Sequence, residues 1–367
     1  MALSIGIVGL PNVGKSTLFN ALTEKKVSAE NYPFCTIDPS VGVVAVPDRR
    51  LGELSRWAKS KKTIPAAIEF VDIAGLVKGA SAGEGLGNKF LSNIREVDAI
   101  LEMVRIFEDS NISHVDNVID PMRDIEVINL ELILADMQTV SKRLASIEKD
   151  VKRGDKEALA MKEVLLKVDK ILEGGNLAIE SNLDENEVGL VKGLHLLSMK
   201  PILYVLNKKA GAGNLDEMKD ERYEKIISFF EKSQAHYVVV DAGIESELSG
   251  ISGEDRKEFR AELGVAEGKD GIDELIHKSY ELLGLITYFT TGEDESRAWT
   301  IQKGSSAPEA GTAIHNDFKN KFIRAEVIQW SDLINAGSYN TAREGGLIRT
   351  EGKEYIVKDG DVIEFKI

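Results

Sequence analysis

The stretch Gly9-Leu10-Pro11-Asn12-Val13-Gly14-Lys15-Ser16 decides the fold. It fits the spacing G-x-x-x-x-G-K-[ST], and its flanks suit that pattern: an apolar, β-prone run at Ser4–Val8 precedes it and a helix-prone run from Thr17 to Leu22 follows. Glycines let the backbone wrap an anion, and the amides at the helix start point at its oxygens. Asn12, Val13, Gly14, Lys15, Ser16 and Thr17 are therefore expected to contact a nucleotide. Lys15 is expected to reach the β- and γ-phosphates and act as a catalytic charge, while Ser16 ligates Mg²⁺.

Working outward, the run Ala67–Val71 ends in Asp72 and continues Ile73-Ala74-Gly75. An aspartate at the carboxyl edge of a strand beside the phosphate loop can hold the Mg²⁺ water shell, and Gly75 can donate its amide to a γ-phosphate. Between the two motifs, Thr36 is a candidate second hydroxyl on Mg²⁺. Further β-prone runs lie at Ala99–Val104, Pro201–Leu206 and Tyr237–Val240, with helical stretches between several of them. Nearly continuous apolar strands joined by helices predict a parallel sheet covered on both faces, an α/β fold.

The base-reading segment is unusual. A GTPase reads guanine with Asn-Lys-x-Asp after a buried strand; here the segment is Asn207-Lys208-Lys209-Ala210. Ala210 has no acceptor, and lysines offer only donors, so relaxed base preference or a preference for adenine follows. Asn207 and Lys208 remain nucleotide-binding candidates, with Phe107 as an apolar contact for the base. Asp241-Ala242-Gly243 stands where a Ser-Ala sequence often closes the base pocket, which adds Ala242 to the binding residues.

Of the 367 residues, 46 are Lys or Arg and 61 Asp or Glu, a formal charge of −15. A surface this acidic does not take up nucleic acid generally, so any such contact is a local patch, and DNA is not an expected partner. The single cysteine, Cys35, fits a reducing compartment. Neither a membrane span nor a signal peptide is predicted, so the expected location is the cytoplasm.

Two segments interrupt or follow the sheet pattern. Leu130, Ile133, Met137, Val140, Leu144, Ile147 and Val151 alternate at spacings of three and four, Gly154-Asp155 breaks the run, and Ala158, Met161, Leu165, Val168 and Leu172 resume it. This predicts an antiparallel helical hairpin inserted into the sheet domain. Nine basic and nine acidic residues over Leu130–Glu173 leave it neutral, with Lys149, Lys152, Arg153 and Lys156 flanking the turn. After Gly284, turn signals separate short β-prone runs at Ala298–Ile301, Tyr355–Val357 and Val362–Phe365, so a small β-rich domain is expected. The predicted division is 1–128 with 198–283 for the nucleotide domain, 129–197 for the helical insert and 284–367 for the C-terminal domain.

Together these motifs resemble the YchF family, the Obg-like ribosome-binding ATPases. The resemblance runs almost end to end, through GLPNVGKSTLFNALT at Gly9–Thr23, NYPFCTIDPSVGVV at Asn31–Val44, FVDIAGLVKGASAGEGLGNKFLSNIRE at Phe70–Glu96 and DPMRDIEVINLEL at Asp120–Leu132. RAWTIQKG and HNDFKNKFIRAEV continue it near the C-terminus. It implies a P-loop NTPase domain of the Ras-like G type, interrupted by a coiled-coil insert and followed by a β-grasp-like TGS domain. It also implies hydrolysis of ATP to ADP and association with ribosomes, the large subunit and its rRNA being the expected contacts. Leu76 stands where many GTPases carry a water-orienting glutamine, and His114 matches a loop histidine that supplies this role in the family. Asn12 matches a phosphate-loop asparagine that coordinates K⁺ in cation-dependent relatives. Ala210 departs from the family's Asn-x-x-Glu pattern. The alternatives are an Obg-like GTPase and a ribosome- or RNA-binding adapter in which the nucleotide only sets conformation.

Overall fold

A computed structural model describes residues 3–24, 38, 40–73, 86–109, 119–249, 251, 255, 258–259 and 271–367. The chain opens with β1 (Ser4–Val8) and α1 (Lys15–Thr23), joined by the phosphate-loop sequence. Then follow β2 (Val41–Ala45), α2 (Arg49–Ala58), β3 (Lys62–Ile64), β4 (Ala67–Asp72), α3 (Leu86–Glu96), β5 (Ala99–Arg105) and the two-residue β6 (Phe107–Glu108). The insert supplies α4 (Pro121–Lys152), α5 (Lys156–Glu173) and α6 (Glu185–Val191). The chain returns to the sheet with β7 (Ile202–Asn207), β8 (Gly213–Asn214), α7 (Glu221–Ser233), β9 (His236–Val240), α8 (Ala242–Ser249) and α9 (Gly271–Leu282).

The first sheet has the order β2-β4-β1-β5-β7-β9. Every pairing is parallel except β2 on β4, which is antiparallel at the edge. All seven residues of β5 are buried, as a strand covered on both faces requires. The register matters for function: Ile7 pairs with Asp72 and Arg105 with Asn207. The carboxyl ends of β1, β4, β5 and β7 therefore open at one edge, where open α/β sheets bind their ligands.

Helix α4 has two partners in succession. Asp120 caps it by accepting from the Arg123 amide at 3.3 Å, and Pro121 occupies its first position. Its first turns bury Ile125, Ile128 and Leu132 against the sheet domain. From Ile133 onward it packs instead on α5, where Ile133, Val140 and Ile147 meet Val164, Leu165, Val168 and Leu172. Leu130, expected on that seam, is 54% exposed, because the buried face is still turned toward the sheet at that point. Gly154 reverses the chain with φ 78, and Asp155 caps α5 through the Ala158 amide at 2.8 Å. The tip is mixed in charge: Lys152 pairs with Glu148 at 2.6 Å and Arg153 with Asp150 at 3.6 Å. At the return, buried Asp136 accepts from the Leu197 amide, the Ser198 amide and the Ser198 hydroxyl at 2.8, 2.7 and 2.6 Å.

The C-terminal region holds β10 (Leu285–Thr291), β11 (Glu295–Gln302), α10 (Ala307–Gly311), α11 (Asp317–Asn320), β12 (Arg324–Gln329), α12 (Trp330–Ala336), α13 (Tyr339–Glu344), β13 (Arg349–Glu351) and β14 (Asp361–Lys366). It is mixed α/β rather than simply β-rich, because four short helices separate its strands. The strand expected at Tyr355–Val357 is reduced to one bridge between Ser306 and Ile356. Its sheet, ordered β13-β12-β14-β10-β11-β3, takes β3 from the N-terminal half of the chain. Leu51 and Leu54 of α2 share one core with Phe289, Ala298, Ile328 and Leu333. Arg50 fastens the same junction, donating to Asp359 at 2.5 Å and to Asp48 at 2.8 Å. Among the described residues no helix is long and apolar enough to cross a membrane.

Candidate functional site

The turn between β1 and α1 needs glycine at both of its bends. Gly9 has φ 152, and a Cβ there would lie 2.6 Å from the Met103 carbonyl oxygen; Gly14 has φ 104, and a Cβ there would lie 2.6 Å from Asn207 Nδ2. Between them Asn12 adopts φ 63, a left-handed conformation that asparagine tolerates. The loop so formed curls round the Lys15 ammonium, which donates to the carbonyl oxygens of Gly9 and Leu10 at 3.0 and 2.8 Å.

Lys15 and Asp72 face each other electrostatically. Burial lowers the lysine pKa and the aspartate charge pulls it part of the way back. Burial raises the Asp72 pKa and Lys15 opposes the rise. Both effects have one origin, partial removal from water at the mouth of the parallel strands.

A cleft of about 440 Å³ opens over this loop. Asn12, Gly14, Lys15, Ser16 and Thr17 line its phosphate end, and Phe107, Asn207, Lys208 and Ala242 line the other. Val13 is buried behind the loop, and its carbonyl accepts from Asn207 Nδ2 at 2.8 Å. The Asn207 oxygen in turn accepts from the Ala242 amide at 3.1 Å. Asn207 is thus a clamp joining the phosphate loop, β7 and the start of α8, and it also lines the cleft. Thr36, Gly75, Leu76 and His114 lie outside the described residues.

Several residues that shape the base end were not foreseen. Arg105, buried at the end of β5, donates from Nε to the Phe107 carbonyl at 3.0 Å and lies 4.4 Å from the centre of the Phe107 ring. A charged residue closing an apolar strand was the available signal. Lys209 pairs with Asp109 at 2.5 Å, closing the loops after β6 and β7 on each other. Asn214 holds the same turn, accepting from the Lys209 amide and donating to its carbonyl, both at 3.0 Å. Lys208 pairs with Glu217 at 3.2 Å. Asp241 accepts from the Ala210 amide at 2.6 Å and from the Ile244 amide at 3.0 Å, so it caps α8 and ties it to the loop after β7.

Ser16 is exposed at the loop's end, and with Asp72 it offers a hydroxyl and a carboxylate. Hard oxygen donors in small number suit Mg²⁺, which keeps most of its shell as water. The residues present therefore fit that ion.

Comparison with known proteins agrees with this geometry. The family described as "50S ribosome-binding GTPase" matches residues 4–135, and the C-terminal domain of YchF GTPases, described as a protein of unknown function, matches residues 285–367. The chain is 53% identical over 370 residues to the "Ribosome-binding ATPase YchF" of Bacillus subtilis (strain 168), covering 100% of this chain and 99% of that protein. It is 46% identical over 366 residues to the protein of the same name from Escherichia coli O157:H7, with 100% and 99% covered. Among solved structures, the Schizosaccharomyces pombe YchF GTPase superimposes with a TM-score of 0.87 at 38% identity, over 99% of this chain and 97% of that one. The similarity runs the full length of this chain and of these relatives, and the chain belongs to the YchF family.

Proposed function

We propose that this chain is an Mg²⁺-dependent ATPase, converting ATP and water to ADP and phosphate, that associates with ribosomes as a nucleotide-dependent switch. The observation that carries the reading is the loop at Gly9–Ser16, which follows β1 and curls round the Lys15 ammonium at the start of α1, with Asp72 at the carboxyl end of β4, the strand parallel to β1. Phosphoryl transfer needs positioning and charge stabilisation rather than covalent help. Amides of residues 12–17 would cradle the phosphates, and the Lys15 ammonium would exchange its two loop carbonyls for β- and γ-phosphate oxygens. Ser16, Thr36 and Asp72 would hold Mg²⁺, and Gly75 would donate to the γ-phosphate. Mg²⁺, when bound, supplies neutralisation of charge on the β- and γ-oxygens. His114 would orient the attacking water, since Leu76 cannot, and Asn12 would take K⁺ as a further cation. Phe107, Asn207, Lys208 and Ala242 would hold the base.

The ribosome enters through the relatives, which are named ribosome-binding ATPases at 53% and 46% identity over their whole length. The large subunit and its rRNA are the proposed contacts, reached through the insert at 129–197 and the TGS domain at 284–367, with 1–128 and 198–283 as the nucleotide domain. Cytoplasmic location follows from that partner. Phosphate release by the purified protein tests the enzymology, and undiminished turnover in Lys15→Ala overturns it. Co-sedimentation with ribosomes, with and without ATP across a salt series, tests the partner. Binding without hydrolysis would favour the adapter reading.

A further inference from the structure

The base end of the cleft has a distinctive polar inventory. Asn207 is occupied at both ends of its amide by Val13 and Ala242. Lys208 and Lys209 can only donate, and the side chains of Phe107 and Ala242 carry no polar atom. Ala210 stands where Asn-Lys-x-Asp would attach a guanine-reading carboxylate. Among the described side chains lining that end, Asp241, in the bend between β9 and α8, is the one that carries a carboxylate.

Asp241 is held in place from two sides. Its Oδ1 accepts from the Ile244 amide at 3.0 Å, and its Oδ2 accepts from the Ala210 amide at 2.6 Å. Helix capping accounts for the first bond, which a serine would make equally well. The second bond needs another oxygen, and it sets the carboxylate against the backbone of the residue that lacks one. Each carboxylate oxygen has two acceptor sites, so each keeps one for a ligand.

We propose that Asp241 is the base-reading residue of this chain: its carboxylate accepts from the ring N1–H and the exocyclic amine of guanine, so that the cleft takes guanine nucleotides alongside ATP. The proposal rests on the nucleotide reading of the cleft and deepens it. Guanine presents two adjacent donors to a carboxylate, a paired and charge-assisted contact. Adenine presents one donor beside the N1 acceptor, which repels.

Calorimetric titration of the full-length protein with the Mg²⁺ complexes of ATP, GTP, ITP and XTP tests this, using the wild type, Asp241→Asn and Asp241→Ser. The wild type is expected to bind GTP within about tenfold of ATP, and ITP several-fold more weakly than GTP, because inosine lacks the amine. Asp241→Asn should lower the GTP-to-ATP affinity ratio at least about tenfold and gain XTP binding, since the asparagine amide donates to the C2 carbonyl of xanthine. Asp241→Ser keeps the helix cap and should lower the GTP-to-ATP affinity ratio without gaining XTP. An unchanged GTP-to-ATP ratio in both variants overturns the proposal, as does a wild type that binds ATP and not GTP. A wild type that binds neither overturns the nucleotide reading as well, which separates the two failures.

Discussion

Asn207 donates to the Val13 carbonyl at 2.8 Å, and its oxygen accepts from the Ala242 amide. A single side chain at the end of β7 therefore joins the phosphate loop to the helix that closes the base side. Asn207→Ala removes both bonds and leaves a buried carbonyl and a buried amide without partners, at about 1–3 kcal/mol each before relaxation. The expected outcome is a lower urea midpoint and at least about tenfold weaker ADP binding by titration. Normal affinity in a destabilised variant would show that the clamp serves the fold alone.

Lys15→Ala removes the charge at the centre of the loop. A loss of at least about 100-fold in the rate of phosphate release is expected, by analogy with the removal of other charge-stabilising donors. The variant should remain folded, because the carbonyls of Gly9 and Leu10 that Lys15 leaves behind can take water at the open cleft.

Gly9 and Gly14 differ in what an added methyl group meets. At Gly14 the obstacle is the Asn207 side chain, whereas at Gly9 it is the backbone oxygen of Met103. Gly14→Ala is expected to cost about 1–3 kcal/mol for the unfavourable φ alone, with loss of nucleotide binding. Gly9→Ala should cost more, since β5 cannot yield without breaking its pairing. Thermal unfolding of the two variants side by side checks the order.

Glu102 on β5 is fully buried beside Asp124, and both of its carboxyl oxygens lack a hydrogen-bond partner. Burial first, and the Asp124 charge second, raise its pKa well above the usual glutamate value. Because the folded-state pKa is the higher one, the stability it contributes is complete below the unfolded pKa and is lost as pH rises through the folded value. Glu102→Gln, which cannot ionise, should match the wild type near pH 4 and exceed it by a margin that grows toward neutrality. Urea unfolding at several pH values measures that margin; a constant difference would refute the link.

Asp136 ends three hydrogen bonds at the base of the insert. Asp136→Ala strands the Leu197 amide and the Ser198 amide and hydroxyl in a buried setting. Faster proteolytic cleavage across residues 174–200 is the expected result, seen by mass mapping of limited digests.

What the sequence made legible follows from the range of the forces involved. The phosphate loop was readable because its glycines answer local backbone demands, and the strand and helix beside it are set by short-range periodicity. The helical hairpin was readable for the same reason from Ile133 onward. Leu130 was misplaced because a helix that changes partner keeps its period and turns a different face. The pairing of β3 with β11 was not legible: three residues, Lys62–Ile64, find a partner more than two hundred positions away, and no local pattern encodes that choice. At the cleft, Ala210 announced a missing acceptor, but only the folded chain brings Asp241 against it.

That borrowed strand also sets a timetable for the growing polypeptide. Lys62–Ile64 emerges early in synthesis and cannot be paired until Glu295–Arg297 has been made. Until then its edge stays open to stray association. A fragment cut near residue 284 would keep that exposed edge permanently, so the catalytic portion should be poorly behaved when produced without its tail.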